Sequence, residues 1–203
     1  MNASAHRVFS PSSALLLAMF CFFTAALAVP PSFAMAQTPV LTLKDSDRGT
    51  LVDLYPTGDP GGDGFYLYKN GKYGYSAWIP VEITQVVTLP DNEDGVILAS
   101  KDGNTRFRVS GGLVEFVPGG LKGAFDETFK EHQAMITDVL FVQNELRAFW
   151  VISWKEEGMM HHRKFAVKDD NWFDCEFFYP ASLQEKYGFV TDGALRNSGF
   201  LEK

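Results

Sequence analysis

The chain has 203 residues and carries 18 Lys and Arg against 25 Asp and Glu, a net charge of −7. This acidic balance argues against a protein that binds the phosphate backbone of a nucleic acid, which requires a positive surface. With 46% hydrophobic and 21% charged residues, the chain has the composition of a globular domain, and its two Cys exclude a disulfide-stapled scaffold or a multi-Cys zinc site.

The N-terminal residues 1–36 are predicted to be a Sec-type signal peptide. Arg7 precedes an apolar run of 16 residues, 14–29, which is short for a membrane-spanning helix of ~20 residues. The small-x-small motif that ends in Ala36 predicts cleavage there and a periplasmic or secreted protein. Cleavage at the competing motif 26–28 and an uncleaved membrane anchor are the alternatives.

Three further observations concern the leader and the exported chain. Cys21 does not fit a lipoprotein signal, because Phe20 stands where a small residue is required. Removal of the leader takes away only Arg7, so 17 basic and 25 acidic side chains remain, a charge of −8. Stable membrane insertion after cleavage is therefore not expected. The remaining thiol, Cys175, is predicted to be buried in a strand as a small hydrophobic side chain.

Residues 37–64 are predicted to form an irregular arm or linker. Short apolar alternations occur at 40–43 and 51–54, and 56–64 is dense in Pro, Gly and Asp, the residues of turns. The acidic residues do not have the spacing of a calcium-binding loop.

Hairpins are predicted from residue 65 onward. Asn70-Gly71 separates two aromatic-rich runs and predicts a two-residue turn, because both residues tolerate positive φ. A second turn is predicted at 101–104, and charged and apolar residues alternate at 106–109, as in a half-buried strand.

A helix is predicted from Gly119-Gly120 to about Ile136, because apolar residues recur there at helical spacing. The stripe consists of Leu121, Phe125, Phe129, His132 and Ile136. His132 is either a helix-borne catalytic residue or a packed side chain with one satisfied nitrogen, and the second interpretation is preferred.

An antiparallel meander is predicted after the helix, from four apolar runs joined by turns. The runs are 139–142, 147–154, 160–167 and 172–179. In the last run, strand alternation places Phe173, Cys175, Phe177 and Tyr179 on one face and Asp174 and Glu176 on the other.

The C-terminal region is predicted to be a short helix. Ser182 and Glu185 have the spacing of a capping box, and Gly188 and Gly193 are expected to break the helix. Residues 65–203 are therefore predicted to form a single α+β domain. Its antiparallel sheet of about six strands is expected to be flanked by helices.

Three segments together resemble small exported bacterial domains with a PsbP-like fold, a likeness that extends over about 65–200. The first is the hairpin 68–76 with the strand that ends at Pro80, the second is 100–109, and the third is 177–187 with the terminal helix. Ile79 stands where this family usually has an aromatic residue. The resemblance implies an α/β/α sandwich.

The resemblance also implies a function class. Members of this fold mostly bind other proteins, and the photosynthetic ones dock on the lumenal side of a membrane complex. The family supplies no catalytic motif to transfer to this sequence, and a shared fold would not justify doing so.

Motifs of the common enzyme chemistries are not apparent in the sequence. Ser110-Gly111-Gly112 lacks the leading Gly of a nucleophile elbow. The pairs Glu156-Glu157 and Asp169-Asp170 fall in predicted turns, where solvated charge explains them. No catalytic residue and no cofactor are therefore predicted.

One cluster, Met159-Met160-His161-His162, combines thioethers with imidazoles, a set that suits copper. In an extended segment Met159 and His161 share one face, and Met160 and His162 share the other. Each face then offers two ligands, fewer than a firm site needs, so no metal is predicted.

Three functions remain open. The preferred one is a non-enzymatic binding or accessory module of the cell envelope with another envelope protein as its partner. The alternatives are a small hydrolase-like enzyme built around His132 with a nearby carboxylate, and a carrier of a small hydrophobic ligand. The sequence does not indicate an oligomeric state.

Overall fold

Two antiparallel sheets and two helices make up the part of the chain described by the structure, a computed structural model that covers residues 37–45, 49–59, 62–90 and 92–201. The predicted signal peptide lies outside the described residues. The α+β class with antiparallel pairing is confirmed. The described strands form two sheets, whereas a single sheet of about six strands was expected.

The smaller sheet has five strands in the order β1-β2-β3-β4-β12. Its strands are β1 (Leu41–Lys44), β2 (Leu51–Pro56), β3 (Phe65–Asn70), β4 (Tyr75–Pro80) and β12 (Gly199–Phe200). β12 pairs with β4, so the C-terminal end of the described chain forms one edge strand of this sheet.

Residues 37–64 are not an irregular arm, because β1 and β2 pair with each other and β2 continues the sheet to β3. Leu43, Val52 and Leu54 are buried in the main hydrophobic core. The two apolar alternations therefore correspond to strands. Their side chains become buried because β2 pairs with β3 of the following hairpin.

The β3–β4 hairpin is present, but its turn is longer than predicted. Asn70 pairs with Tyr75, so the loop comprises the four residues 71–74. The left-handed position is Gly74, with φ 67°, and the side chain of Asn70 accepts a hydrogen bond from the backbone N–H of Tyr73 at 3.0 Å. Asn70 thus organises the loop through its side-chain oxygen.

We expect Gly74→Val to lower the free energy of unfolding by roughly 1 kcal/mol or more, because a β-branched residue is strained at positive φ. Gly71→Val is the matched control. A Cβ at Gly71 would meet open space, and its backbone is not left-handed, so the change should stay within about 0.5 kcal/mol. Urea unfolding of both variants tests the assignment, and equal losses would contradict it.

The larger sheet has seven strands in the order β5-β6-β7-β11-β10-β9-β8. They are β5 (Ile83–Thr88), β6 (Gly95–Ser100), β7 (Arg106–Leu113), β8 (Ile136–Gln143), β9 (Ala148–Glu156), β10 (Met159–Lys168) and β11 (Asn171–Pro180). The predicted second hairpin is β6–β7, and the predicted meander is β8 to β11, all antiparallel.

Helix α1 (Gly120–His132) and helix α2 (Gln184–Asn197) lie against opposite faces of this sheet. Trp150, Ile152 and Phe165 pack with α1, whereas the alternate residues Ala166 and Cys175 belong to the core that includes α2 and the smaller sheet. The smaller sheet and α2 therefore lie on the same face of the larger sheet and share one hydrophobic core with it. No helix of the described residues is long and apolar enough to cross a membrane.

Both helices differ from the predicted boundaries. α1 ends at His132, and Ile136 is the first residue of β8. α2 begins at Gln184 after a 3-10 turn and has no side-chain cap, so the capping box does not form. It continues through Gly188 and Gly193, and at Gly193 an added Cβ would lie 3.0 Å from the ring of Phe65. This glycine permits close packing and does not break the helix.

The Gly-Gly pair after Ser110 also has a packing role. A Cβ at Gly111 would lie 2.4 Å from the ring of the fully buried Tyr75, and one at Gly112 would lie 2.8 Å from the indole of Trp172. Gly111 of β7 therefore allows the two sheets to approach each other under Tyr75 of β4, whereas Gly112 leaves room for the indole of Trp172, its cross-strand neighbour in the same sheet.

Candidate functional site

A groove of about 1200 Å³ lies between α2 and the part of the larger sheet formed by β8, β9 and β10. It exists because α2 packs on β10, β11 and β4 and leaves β8 and β9 uncovered on this face. A helix about 10 Å wide covers only about two strands spaced ~4.8 Å apart. The exposed remainder of the sheet becomes the floor of the groove.

Along β9 and β10, the side chains that form the floor of the groove alternate with those that face α1. Its apolar members are Phe149, Val151, Met160 and Ala166, and its polar members are Ser153, His162 and Lys164. Met160 is buried, whereas Phe149 and Val151 remain half-buried. Leu146, in the β8–β9 turn, is 92% exposed at the rim. The groove thus combines an apolar surface with hydrogen-bonding groups.

Ser153, His162 and Tyr179 form a hydrogen-bonded row at the floor. The Ser153 hydroxyl lies 2.8 Å from His162 Nδ1, and the Tyr179 hydroxyl lies 3.1 Å from Nε2. Burial, with a smaller effect of His161, lowers the pKa of His162 to about 4. The imidazole is therefore neutral near pH 7, with both nitrogens engaged.

The charge of the groove is opposite to that of the whole chain. Its lining includes five basic residues, Arg147, Lys155, Lys164, Lys168 and Arg196, and two acidic ones, Asp138 and Asp192. These side chains sum to +3 in a protein whose net charge is −7. The groove is a local positive surface on an acidic molecule.

Two of the cations serve the fold. Lys164 Nζ donates hydrogen bonds to the carbonyls of Leu195 and Ser198, at 2.8 and 2.6 Å, and so caps the C-terminal end of α2. Burial lowers the pKa of Lys164, an effect that the proximity of Arg147 reinforces. Arg196 pairs with Asp192 one turn away.

The other three cations are exposed and unpaired within the described part of the chain. They are Arg147, Lys155 and Lys168. Arg147 precedes β9 and Lys155 lies near its end, a separation of eight residues or ~26 Å in an extended strand. The groove therefore offers available positive charge at both ends of its floor.

The opposite face of the sheet, toward α1, carries a row of stacked rings. His132 stacks on Trp154 at 4.2 Å between ring centroids, Trp154 on His161 at 4.8 Å, and His161 on Phe178 at 5.4 Å. His132 Nδ1 lacks a hydrogen bond and lies 3.5 Å from a carboxylate oxygen of Glu156. His132 thus occupies the apolar stripe as a packed aromatic ring.

Charged side chains continue this row on the same face. His161 Nδ1 lies 2.8 Å from Glu176, which also pairs with Arg108 at 2.8 Å. Burial alone would raise the pKa of Glu176, but the hydrogen bond from His161 and the charge of Arg108 lower it below its usual value. Asp174 and Glu176 face away from Cys175 as predicted, yet both are buried.

A smaller depression of about 460 Å³ lies beside His161, lined also by Arg106, Glu156 and Met159. Its polar groups are largely engaged, because Arg106 donates to the carbonyl of Gly103 and His161 is held by Glu176. It offers less unpaired polarity than the groove, which we therefore take as the principal candidate site.

The Met-His cluster is divided between the two faces, as strand alternation indicates. Met159 and His161 line the smaller depression, whereas Met160 and His162 line the groove. Among the described residues, no group of three or more His, Cys, Asp or Glu side chains is arranged to hold a metal ion. Cys175 is a buried free thiol, and burial raises its pKa to about 12.

Sequence reasoning missed the groove itself. No sequence motif marks Ser153 or the three unpaired cations, although strand alternation places Ser153 and Lys155 on one face of β9. The sequence of that face does not indicate a binding site, because the groove is formed only together with α2.

No protein-family model matches the chain, and no curated protein sequence matches it. It is similar to the solution structure of cyanobacterial PsbP (CyanoP) from Synechocystis sp. PCC 6803. The TM-score is 0.50 at 9% identity, over 71% of this chain and 99% of that chain. A second similar structure is PA94 from Pseudomonas aeruginosa, a protein of unknown function described as a putative regulator. It has a TM-score of 0.41 at 11% identity, over 68% and 99% of the two chains. The predicted PsbP-like fold is confirmed.

Proposed function

We propose that this chain, which has a PsbP-like fold, is a non-enzymatic accessory module of the cell envelope that binds another protein through the groove between α2 and the larger sheet. The observation that carries the proposal is the positive, partly apolar groove on an acidic chain. The partner's docking segment is acidic and contains apolar side chains.

Electrostatics and surface chemistry support this choice. The net charge of −8 that remains without the leader repels an acidic partner over most approaches, whereas Arg147, Lys155 and Lys168 attract it at the groove. Leu146 and Leu140, which are 92% and 48% exposed, supply apolar area at the rim. An exposed apolar surface beside unpaired cations is typical of a docking site.

Location in the envelope is proposed from the N-terminal sequence. The apolar run 14–29 and the motif that ends in Ala36 support export and cleavage. In this account the working protein begins at Gln37.

One observation favours a second candidate, a small hydrolase: the Ser153 hydroxyl lies 2.8 Å from His162 Nδ1. A catalytic base needs an orienting group and a suitable pKa. Here Nε2 contacts the Tyr179 hydroxyl and not a carboxylate, and the pKa of His162 is lowered to about 4. The pair fits a polar floor better than an activated nucleophile, so binding ranks first.

The experiment is photo-crosslinking in the native cells. A photoreactive amino acid at Leu146 should give one discrete adduct with an envelope protein, and the same probe at Phe116, which is 75% exposed away from the groove, should not. Arg147→Glu with Lys168→Glu should reduce the Leu146 adduct roughly tenfold or more, because repulsion replaces attraction at both positions.

Lys101→Glu with Lys130→Glu is the matched control, since it makes the same charge change at exposed positions outside the groove. The control should retain the adduct. Equal loss in both variants, or adducts only from Phe116, would overturn the proposal. Complementation of a deletion strain separates the hydrolase: a stable Ser153→Ala protein that fails, beside a charge-reversed groove variant that succeeds, would favour the enzyme.

A further inference from the structure

Within the described residues the two sheets have four edge strands, and three of them are protected against further pairing. β1 has four residues and ends at Lys44, and β12 has two residues. β5 contains two register shifts along its pairing with β6. Short length, lysine and bulges are the usual means by which natural edges avoid adding another strand.

The fourth edge, β8, has none of these protections along most of its length. It has eight residues, ITDVLFVQ, without Pro, Lys or Arg, and its one irregularity lies at the start, between Ile136 and Asp138. Val139 and Leu140 are 37% and 48% exposed. An edge that is long, regular and apolar is a template for a further strand.

The hydrogen-bonding groups that β8 offers follow from its register. The N–H of Asn144 donates to the carbonyl of Arg147 at 2.9 Å, which makes Asn144 and Arg147 a hydrogen-bonded pair. Pairs alternate along an antiparallel ladder, so Val142 and Leu140 bond to β9. The odd-numbered residues Val139, Phe141 and Gln143 therefore direct their N–H and C=O groups outward.

We propose that β8 receives an extended acidic segment of another protein, which pairs with it as an eighth strand of the larger sheet. This inference rests on the proposed function and specifies the conformation of the docking segment. Main-chain hydrogen bonds to Val139, Phe141 and Gln143 hold the segment, and its side chains determine which segment is accepted.

The groove explains why the segment is acidic. Asp138 and Leu140 of β8 line the groove, so every second side chain of an added strand enters beside them. In a strand of alternating acidic and apolar residues, the acidic side chains enter the groove toward Arg147 and Lys155, and the apolar ones lie on the other face beside Val139 and Phe141. A second copy of this chain fits less well, because pairing of β8 with β8 would place two positive grooves side by side and would supply only one acidic side chain, Asp138.

The test uses the protein purified from its own cells and a fluorescent octapeptide of alternating Glu and Val as the probe. We expect saturable binding that weakens as salt is added. The control peptide replaces each Val by Pro, which keeps the charge but removes the N–H donors that an antiparallel strand directs at β8 when its Glu side chains face the groove. It should bind roughly tenfold more weakly or worse.

Two measurements identify the edge. Hydrogen exchange at the amides of Val139, Phe141 and Gln143 should slow roughly tenfold or more on peptide binding, while the neighbouring even-numbered amides are protected already in the free protein. Val139→Pro should weaken binding about tenfold, because it removes an outward donor but no bond to β9. Val139→Thr keeps the donor and the branched side chain and should bind normally.

Each outcome decides a separate claim. Binding that depends on Arg147 and Lys168 without protection of the odd-numbered amides would overturn strand addition and leave the proposed function intact. Protection of those amides in a concentrated sample without peptide, together with dimers in sedimentation, would assign the edge to a second copy and overturn the proposal. If neither peptide binds but the Leu146 adduct still forms in cells, the claim that the docking segment is an extended acidic strand would be overturned, and the proposed function would stand.

Discussion

Replacing Asp174 by alanine should lower the free energy of unfolding by about 3 kcal/mol, because it leaves the largely buried guanidinium of Arg163 without its partner. Asp174 is only 5% exposed and holds Arg163 through two hydrogen bonds, Nε to Oδ1 at 2.8 Å and Nη2 to Oδ2 at 3.1 Å. Burial alone would lower the pKa of Arg163, but Asp174 raises it, so the guanidinium remains charged in the folded protein.

The same arginine attaches α1 to the sheet, since Arg163 Nη1 donates to the Thr128 hydroxyl at 3.2 Å. Loss of Asp174 should therefore increase hydrogen exchange in α1 as well as reduce global stability in urea. Asp126→Ala is the matched control: it removes an exposed ion pair with Lys122 on the same helix and should cost less than about 1 kcal/mol. A loss from Asp174→Ala that is no larger than the control would show that Arg163 finds water or another partner.

The second large effect is a loss of stability in mild acid that depends on His162. The pKa of this residue falls from 6.5 to about 4 on folding, chiefly through burial, with His161 lowering it further and Asp138 raising it slightly. Between these values the unfolded chain binds the proton and the folded chain does not. Stability is therefore complete above pH 6.5 and is lost as the pH falls toward 4, by about 3 kcal/mol in total.

Urea unfolding at pH 7 and pH 5 measures this linkage. About 2 kcal/mol of the loss should appear within that interval, in which the carboxylate of Glu176 stays ionised because the hydrogen bond from His161 and the charge of Arg108 lower its pKa despite burial. His162→Gln retains a polar side chain beside Ser153 and Tyr179 but does not titrate, so its stability should change about 2 kcal/mol less than that of the wild type between the two pH values. Parallel pH profiles for the two proteins would contradict the assignment to His162.

Features that depend on neighbouring residues in the chain were readable from the sequence. The meander β8–β11 is marked by apolar runs and turns, and alternation correctly placed Phe173 and Tyr179 on a buried face. The hairpin β3–β4 was also recognised, but Asn70-Gly71 was read as the whole turn. The hydrogen bond from the backbone N–H of Tyr73 to the side-chain oxygen of Asn70, together with the left-handed Gly74, gives a longer loop.

Features that depend on distant partners were not readable. Residues 41–44 and 51–56 are weak strands by composition and become part of a sheet because β3 pairs with β2. Asp174 and Glu176 were placed on the correct face, but their burial requires α1 and Arg108 from outside the meander. A charged residue in an alternating pattern indicates a face, while its solvent exposure depends on what covers that face.

The candidate site shows the same division. The sequence by itself determined that Met159 and His161 lie on one side of a strand and Met160 and His162 on the other, because side-chain direction in a strand alternates residue by residue. Only the tertiary structure decided that α2 covers β10 and β11 but leaves β8 and β9 open. That choice depends on packing between the C-terminal helix and strands as distant in sequence as β4, and it converts an ordinary strand face into a positive groove with an unprotected edge.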